Sequence, residues 1–297
     1  MKALTDWLTY ILYSSLWRLV RFLPSKTAYD FFERLALRSY RKNGRRVQRL
    51  RNNYRQIRPL LSDGEIETMV KDGMRNALRY WCDTFRISDW SREQVLESVT
   101  SENEELLLSG AKSGRGVIVA LPHAGNWDHA GYYFCSKGIE VNTVAEHLKP
   151  ERLFKKFLAH RERMGIKVLD LAESVTDELV ARLKAGKLVA LVADRDLSKS
   201  GISVDFFGAT ARMPAGPALL AYRTSADLIV AFVSYRPNGI HIKFTGPIEV
   251  NRDKPEKVEV ERVTQILASS FESDINSDPT SWHMLQRIFV SESEASS

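Results

Sequence analysis

"GVIVALPHAGNWDHAG", from Gly116 to Gly131, decides how the rest of the chain is read. Its first half is a short, unbroken apolar run, the pattern of a strand buried on both faces. Directly after it come His123, Gly125, Asp128 and His129. In open α/β sheets, ligands sit beyond the carboxyl ends of the strands. The stretch therefore predicts a sheet strand that delivers chemistry-bearing residues to a site.

Working outward from it, further strand patterns lie downstream: "EVNTVAE", "IKVLDL", "KLVALVADRD", "DLIVAFVSYRP" and "IHIKFTGPIEV". The last two flank "PNG" and read as a hairpin. Helical patterns alternate with them, such as "PERLFKKFLAHRERMG", "VTDELVARLKAG" and a closing amphipathic helix from about Lys257 to Ile275. This alternation predicts an α/β fold: a central, mostly parallel, mixed sheet flanked by helices, with one antiparallel edge. "FFG" and "MPAGPALLA" read as a buried turn followed by a helix start.

Upstream of Gly116 there is no strand signal. "SKTAYDFFERLALRSYRKNG" reads as a helix with a cap candidate at Ser25 and an end at Gly44. "SDGEIETMVKDGMRNALRYWCDTFRI" begins at a cap candidate, Ser62 or Asp63. It carries Ile66, Met69, Val70, Met74, Leu78, Trp81 and Phe85 at helical spacing. The organisation expected is one domain over residues 1–290, with a helical part (1–100) and an α/β catalytic part (115–290). A disordered tail, 291–297, follows.

The chain has 297 residues and a net charge of +6. The excess is concentrated. From Arg34 to Arg58 there is no acidic residue. Such a block favours an anionic partner, although a solvated basic helix face explains it as well. No RNA-recognition signature, zinc finger or helix-turn-helix pattern accompanies it, so nucleic acid is not the expected partner. Cys82 and Cys135 form no CxxC pattern, which fits a reduced compartment and gives no zinc signature.

The first residues, "MKALTDWLTYILYSSLWRLVRFLP", are a poor signal peptide, because Asp6 interrupts them and no small-residue cleavage site follows. The uncharged run from Trp7 to Trp17 is far below the ~20 residues a spanning helix needs. Leu4, Trp7, Leu8, Ile11, Leu12, Ser15 and Leu19 form one helical stripe, with Arg18 and Arg21 at its C-terminal end. Two readings fit: a helix lying on a membrane surface, or a helix packed on the protein's own core.

Three chemistries fit the spacing of His123 and Asp128. In one, Asp128 accepts a hydrogen bond from one ring nitrogen of His123 and leaves the other as a general base. In another, His123, Asp128 and His129 hold a metal, against which stands the divergence of adjacent side chains on a helix. In the third, the histidines merely satisfy backbone groups.

"LPHAGNWDHAG", with its His-x4-Asp, resembles the signature of the membrane-lipid acyltransferases. "HAGNWD" resembles the branch containing the lipid A late acyltransferases. "VALVADRDLSKSGISVDFFGATARMPAGPALLAYRTSADLIVAF" and "WHMLQRIF" are similar to that branch too, and most of all to the bacterial phosphatidylinositol mannoside acyltransferases. The resemblance implies transfer of a fatty acyl chain, expected to be palmitoyl, from acyl-CoA as co-substrate to a mannose hydroxyl of a phosphatidylinositol mannoside glycolipid. It implies no metal and no cofactor.

By position, the resemblance makes His123 the general base and Asp128 its orienting partner. It implies that Glu146, Arg161 and Arg163 line the donor or acceptor pocket, and that an acidic residue near Arg195 enters the site, with Asp194 and Asp196 both candidates. Gly125 and Asn126 are candidates for the backbone donors of an oxyanion site. Phe206, Phe207, Leu219 and Leu220 fit either an acyl tunnel or ordinary core packing. The N-terminal helix and the basic block are expected to bind an anionic membrane at the cytoplasmic face of the plasma membrane, as a peripheral or monotopic protein. Rival functions are acylation of a lipid A precursor, another glycolipid or a lysophospholipid, and, in a different class, a non-catalytic basic protein that binds membrane or nucleic acid.

Overall fold

The computed structural model describes residues 2–145, 149–170, 175–196 and 201–290. Four long helices come first: α1 (Lys2–Phe22), α2 (Ser25–Lys42), α3 (Arg45–Ile57) and α4 (Asp63–Arg86). α1, α2 and α4 lie on the segments with helical apolar spacing, and α3 lies within the basic block, where the sequence alone delimits no helix. Ser62 caps α4 as half of a capping box: its hydroxyl accepts from the Glu65 N–H, and the Glu65 carboxylate accepts from the Ser62 N–H at 2.8 Å. One helical face of α4, with Ile66, Val70, Met74, Ala77 and Phe85, is buried. Pro24 rather than Ser25 occupies the cap position of α2.

A seven-stranded sheet follows, in the order β1-β9-β8-β2-β5-β3-β4. Its strands are β1 (Val99–Glu102), β2 (Val117–Leu121), β3 (Val141–Ala145), β4 (Lys167–Asp170), β5 (Leu188–Val192), β8 (Asp227–Arg236) and β9 (Gly239–Ile248). All neighbours are parallel except β8 and β9. The expectation of an antiparallel edge is corrected here, because β9 is not the edge strand. β1, which no strand signal announced, pairs outside it in parallel. "VTSE" is short, and only Val99 of it is buried, so it has no alternation to read.

Helices cover both faces of the sheet, and alternate residues of each central strand serve opposite cores. Ile118 and Ala120 of β2 join Leu228, Val230 and Phe232 of β8 on one face. Val117, Val119 and Leu121 join Ile229, Ala231 and Val233 on the other. That two-sided burial is why the strands read as continuous apolar runs; each buried valine, leucine, isoleucine or phenylalanine among them stabilises the fold by roughly 1.5–3 kcal/mol. The remaining elements are α5 (Arg92–Glu97), α6 (Glu105–Lys112), α7 (Trp127–Ser136), α8 (Glu151–Arg163), α9 (Val175–Lys184), α10 (Gly216–Arg223) and α11 (Glu256–Ser277).

The "FFG" turn is more than a turn. It joins β6 (Ile202–Phe206) and β7 (Ala209–Met213), a separate antiparallel pair. Phe206 and Leu220 are buried in the core, while Phe207 and Leu219 pack at its margin.

A third apolar cluster joins α1 to the body. Trp17 and Val20 of α1 pack with Ala28 and Phe32 of α2 and Cys82 and Phe85 of α4. The other side of α1 exposes Trp7, Leu8, Ile11, Leu12 and Leu19. Among the described residues, no helix is long and apolar enough to cross a membrane. Both cysteines are free.

Candidate active site

β2 and β5 are parallel neighbours in register, with Leu121 opposite Val192. Each chain runs on past its strand, and the Ala193 N–H still donates to the Leu121 carbonyl at 2.8 Å. The next residues of the two segments therefore meet. His123 Nδ1 lies 2.5 Å from Asp194 Oδ1, and the His123 backbone N–H donates to Asp194 Oδ2 at 3.0 Å.

Asp194 is fully buried. Its second oxygen also accepts the indole N–H of Trp282 at 2.8 Å. Burial alone drives a carboxyl upward. Here the His123 charge and the donated hydrogen bonds outweigh burial, and the Asp194 carboxyl is held below its usual range. An ionised Asp194 accepts, so His123 carries its proton on Nδ1 and turns the Nε2 lone pair outward. The imidazole is part-exposed, and its ring meets Trp127 edge to face at 5.4 Å.

This corrects the expected pairing of His123 with Asp128. Asp128 is buried at the start of α7 and faces away, toward α4 and α8. Its Oδ1 accepts from Arg161 Nε at 2.7 Å, and its Oδ2 accepts from the Tyr80 hydroxyl at 2.9 Å. Burial opposes the Arg161 charge, but Asp128 and Tyr80 more than restore it, so the guanidinium is held well above its usual range. Tyr80 in turn stacks on Trp127 at 4.5 Å. The Asp128 cluster thus supports the aromatic wall beside His123 without bonding to the imidazole.

The loop between strand and helix is fixed from the C-terminal segment. Gly125 has φ +57, in the left-handed region, and a Cβ there would stand 2.5 Å from the Val233 carbonyl oxygen. Its N–H donates to the Ser281 carbonyl at 2.9 Å. Its own carbonyl pairs with His283 Nε2 at 3.0 Å. The Gly125 amide is therefore already engaged, which removes it as an oxyanion donor. Asn126 caps α7 by accepting the His129 N–H at 3.0 Å, and its buried Nδ2 has no hydrogen-bond partner. The opening N–H groups of α7, at Trp127 and Asp128, lack intrahelical acceptors, as at every helix start.

The remaining sequence candidates separate clearly. Asp196 donates its backbone N–H to the Arg212 carbonyl at 2.8 Å, toward β7. Arg195 binds the Gln286 side chain. Arg163 is exposed, two residues beyond Arg161 on α8. Glu146 lies outside the described residues. His129 is buried and edge-on to Trp90, its Nε2 is 2.8 Å from the Ser98 hydroxyl, and burial, helped by Arg79, pushes it down to about 3. It is a neutral structural histidine. With His129 facing Ser98, Asp128 facing Arg161 and His123 facing Asp194, the three side chains do not converge on one point. Among the described residues, no His, Cys, Asp and Glu group is arranged to hold a metal.

Sequence reasoning missed Tyr80, Trp282 and His283. All three come from segments remote in the chain, α4 and the segment after α11, and tertiary packing brings them to the partners and neighbours of His123: Tyr80 to Trp127, Trp282 to Asp194 and His283 to Gly125.

The profile of the family described as "Bacterial lipid A biosynthesis acyltransferase" matches residues 1–291. The chain is 34% identical over 283 residues to a phosphatidylinositol mannoside acyltransferase of Mycolicibacterium smegmatis, covering 94% of this chain and 91% of that protein. It is 32% identical over 291 residues to a phosphatidylinositol mannoside acyltransferase of Mycobacterium tuberculosis, covering 96% of this chain and 88% of that one.

Proposed function

Because the chain belongs to the bacterial lipid A biosynthesis acyltransferase family, we propose that it is an acyltransferase acting on phosphatidylinositol mannoside, with acyl-CoA, palmitoyl-CoA in particular, as donor. The observation that carries the reading is the His123–Asp194 pair. It presents a single imidazole nitrogen, Nε2, as base at the carboxyl end of the sheet.

His123 Nε2 takes the proton of a mannose hydroxyl as that oxygen attacks the thioester carbonyl. The new C–O bond closes a tetrahedral intermediate, and the buried, ionised Asp194 stabilises the imidazolium. Collapse breaks the C–S bond, and His123 returns its proton to the departing CoA sulfur. A thioester is already activated, so the enzyme needs no covalent nucleophile. The developing oxyanion is taken by the opening N–H groups of α7, at Trp127 and Asp128, which have no intrahelical acceptor; the buried Asn126 side chain holds that helix start by its cap. Arg161 and Asp128 keep Trp127 and the α7 start in place beside the base.

The acceptor is a membrane lipid, and we assign the protein to the cytoplasmic face of the plasma membrane as a peripheral or monotopic protein. Support comes from the apolar side of α1, where Trp7, Leu8, Ile11, Leu12 and Leu19 are exposed. Arg18 and, at the α2–α3 corner, Arg34, Arg38, Arg41, Lys42, Arg45, Arg46 and Arg49 are exposed with them. An exposed apolar stripe with Arg18 on the same helix, and a separate cationic corner, each suit an anionic lipid surface.

The test is release of free CoA from palmitoyl-CoA, with and without mannosylated phosphatidylinositol. Acceptor-dependent release that disappears in His123→Ala is expected. Release indifferent to the acceptor, or retained by His123→Ala, overturns the reading.

A further inference from the structure

Trp282 lies far along the chain from the histidine loop, yet it touches the site from two directions. Its backbone forms an isolated antiparallel bridge with Ala124, directly after His123. Its indole N–H donates to Asp194 Oδ2 at 2.8 Å. The segment around it is anchored independently. Tyr54 on α3 donates its hydroxyl to the Trp282 carbonyl at 3.2 Å, and Asn53 Nδ2 donates to the Met284 carbonyl at 2.9 Å. The indole itself is fully buried and edge-on to Phe206 at 6.1 Å.

A buried carboxylate facing a histidine has two ways to fail as a partner. It can rotate, so that no oxygen faces Nδ1, or it can take up a proton. A second strong donor on the far oxygen opposes both. Asp194 Oδ2 holds two such donors, the His123 backbone N–H and the Trp282 indole N–H. The backbone donor belongs to the loop that the carboxylate must orient. The indole belongs to a segment tied to α3, so it supplies an external reference.

We propose that Trp282 is a positioning residue for acyl transfer, its indole N–H locking the Asp194 carboxylate in the plane that keeps His123 Nδ1 bonded and Nε2 free. The proposal rests on the reading of His123 as the base. The donated bond also helps hold the Asp194 carboxyl low, so its loss raises the pH at which Asp194 takes a proton.

The test replaces Trp282 with phenylalanine and, in a second protein, with 3-benzothienylalanine, which keeps the ring volume and removes only the N–H. Turnover is measured with palmitoyl-CoA and mannosylated phosphatidylinositol, alone and combined with Asp194→Asn. The Asp194 carboxyl is titrated by carbon NMR in labelled protein. The benzothienyl protein is expected to melt close to the parent. Its kcat should fall about ten- to a hundredfold, as for loss of a hydrogen bond to a charged group, with KM changed far less. Its Asp194 titration should move to higher pH, and its effect should largely vanish in the Asp194→Asn background. Full turnover with an unmoved Asp194 titration overturns the proposal, as does a loss that adds fully to Asp194→Asn. If Asp194→Asn is itself fully active, the reading of the site falls as well. If Asp194→Asn is impaired and the benzothienyl protein is not, only the role of Trp282 falls.

Discussion

Asp194 Oδ1 and His123 Nδ1 lie 2.5 Å apart, joining residues that follow two neighbouring parallel strands. The pairing makes Asp194, not Asp128, the group whose charge the base uses. Asp194→Asn removes that charge and allows the amide to donate, which favours the wrong imidazole tautomer. Loss of kcat by about a hundred- to ten-thousandfold is expected, with KM changed little. Steady-state acyl transfer measures it, and a turnover within threefold of the parent rules the pair out.

Asp128→Asn has a different signature. Asp128 and Arg161 form a buried ion pair with side-chain exposures of 6% and 19%. Removing one partner leaves a buried guanidinium uncompensated, which costs about 3 kcal/mol or more. We expect a lower melting temperature and a turnover, per folded molecule, reduced less than in Asp194→Asn. Urea unfolding and active-site-normalised kinetics separate the two. A variant as stable as the parent but inactive would return Asp128 to the chemistry.

The distinction marks where the sequence stops being legible. The strand GVIVA, the helix α4 with its cap and the β8–β9 hairpin follow from periodicity and turn residues, because each is decided within a dozen neighbours. His123 is recognisable for the same reason: it ends a buried strand. Its partner is not, because Asp128 is near in sequence and Asp194 is near only once β5 lies beside β2. "ADRD" offered Asp194 and Asp196 equally, and the difference is which side chain points back across the sheet. The strand β1 is invisible because a short edge strand with one buried residue has no pattern. Trp282 entered only as the first residue of "WHMLQRIF", a stretch of resemblance with no role attached, since a lone tryptophan reads as core.

Acid should unfold this protein early. Burial pushes His129 down to about 3, and His160 and His283 each to about 4; unfolded histidine titrates near 6.5. Their folded values are depressed, so the stability they contribute is present above about pH 6.5 and is lost as pH falls toward 4. Asp83 acts in the opposite sense. Burial raises it to about 6 despite Arg79 and Tyr29, so the folded state keeps its proton where the unfolded chain loses it. Three histidines less one aspartate leave a difference of two protons, or a fall of roughly 3 kcal/mol per pH unit at full effect. Urea titrations at pH 7 and pH 5 check this, and equal midpoints contradict it.

Gly125→Ala tests the loop that aims the base. A Cβ at this φ is strained, and it also meets the Val233 carbonyl oxygen at 2.5 Å. The expected cost is at least about 2 kcal/mol, read as a drop in melting temperature. Turnover should fall too, because the Gly125 contacts to Ser281 and His283 fix the approach to α7. Unchanged stability would mean that the loop accommodates another conformation.

Membrane attachment through α1 and the α2–α3 corner is tested without disturbing the core. Trp17 and Val20 hold α1 to the body, so deleting the helix would confuse unfolding with loss of binding. Leu8 and Leu12 are 53% and 67% exposed, and Leu8→Asp with Leu12→Asp leaves the packed side intact. Their melting temperature should match the parent, while co-sedimentation with phosphatidylglycerol vesicles falls by tenfold or more. Replacing Arg38, Arg41 and Lys42 with glutamine removes about 1 kcal/mol of attraction for each cation near the surface. Binding should then weaken roughly a hundredfold at low salt and show a shallower salt dependence, because screening acts only on the electrostatic part. Aspartates that leave vesicle binding unchanged would show that the apolar side of α1 does not meet lipid. A glutamine variant with the parent's salt dependence would place the charge contact elsewhere on the protein.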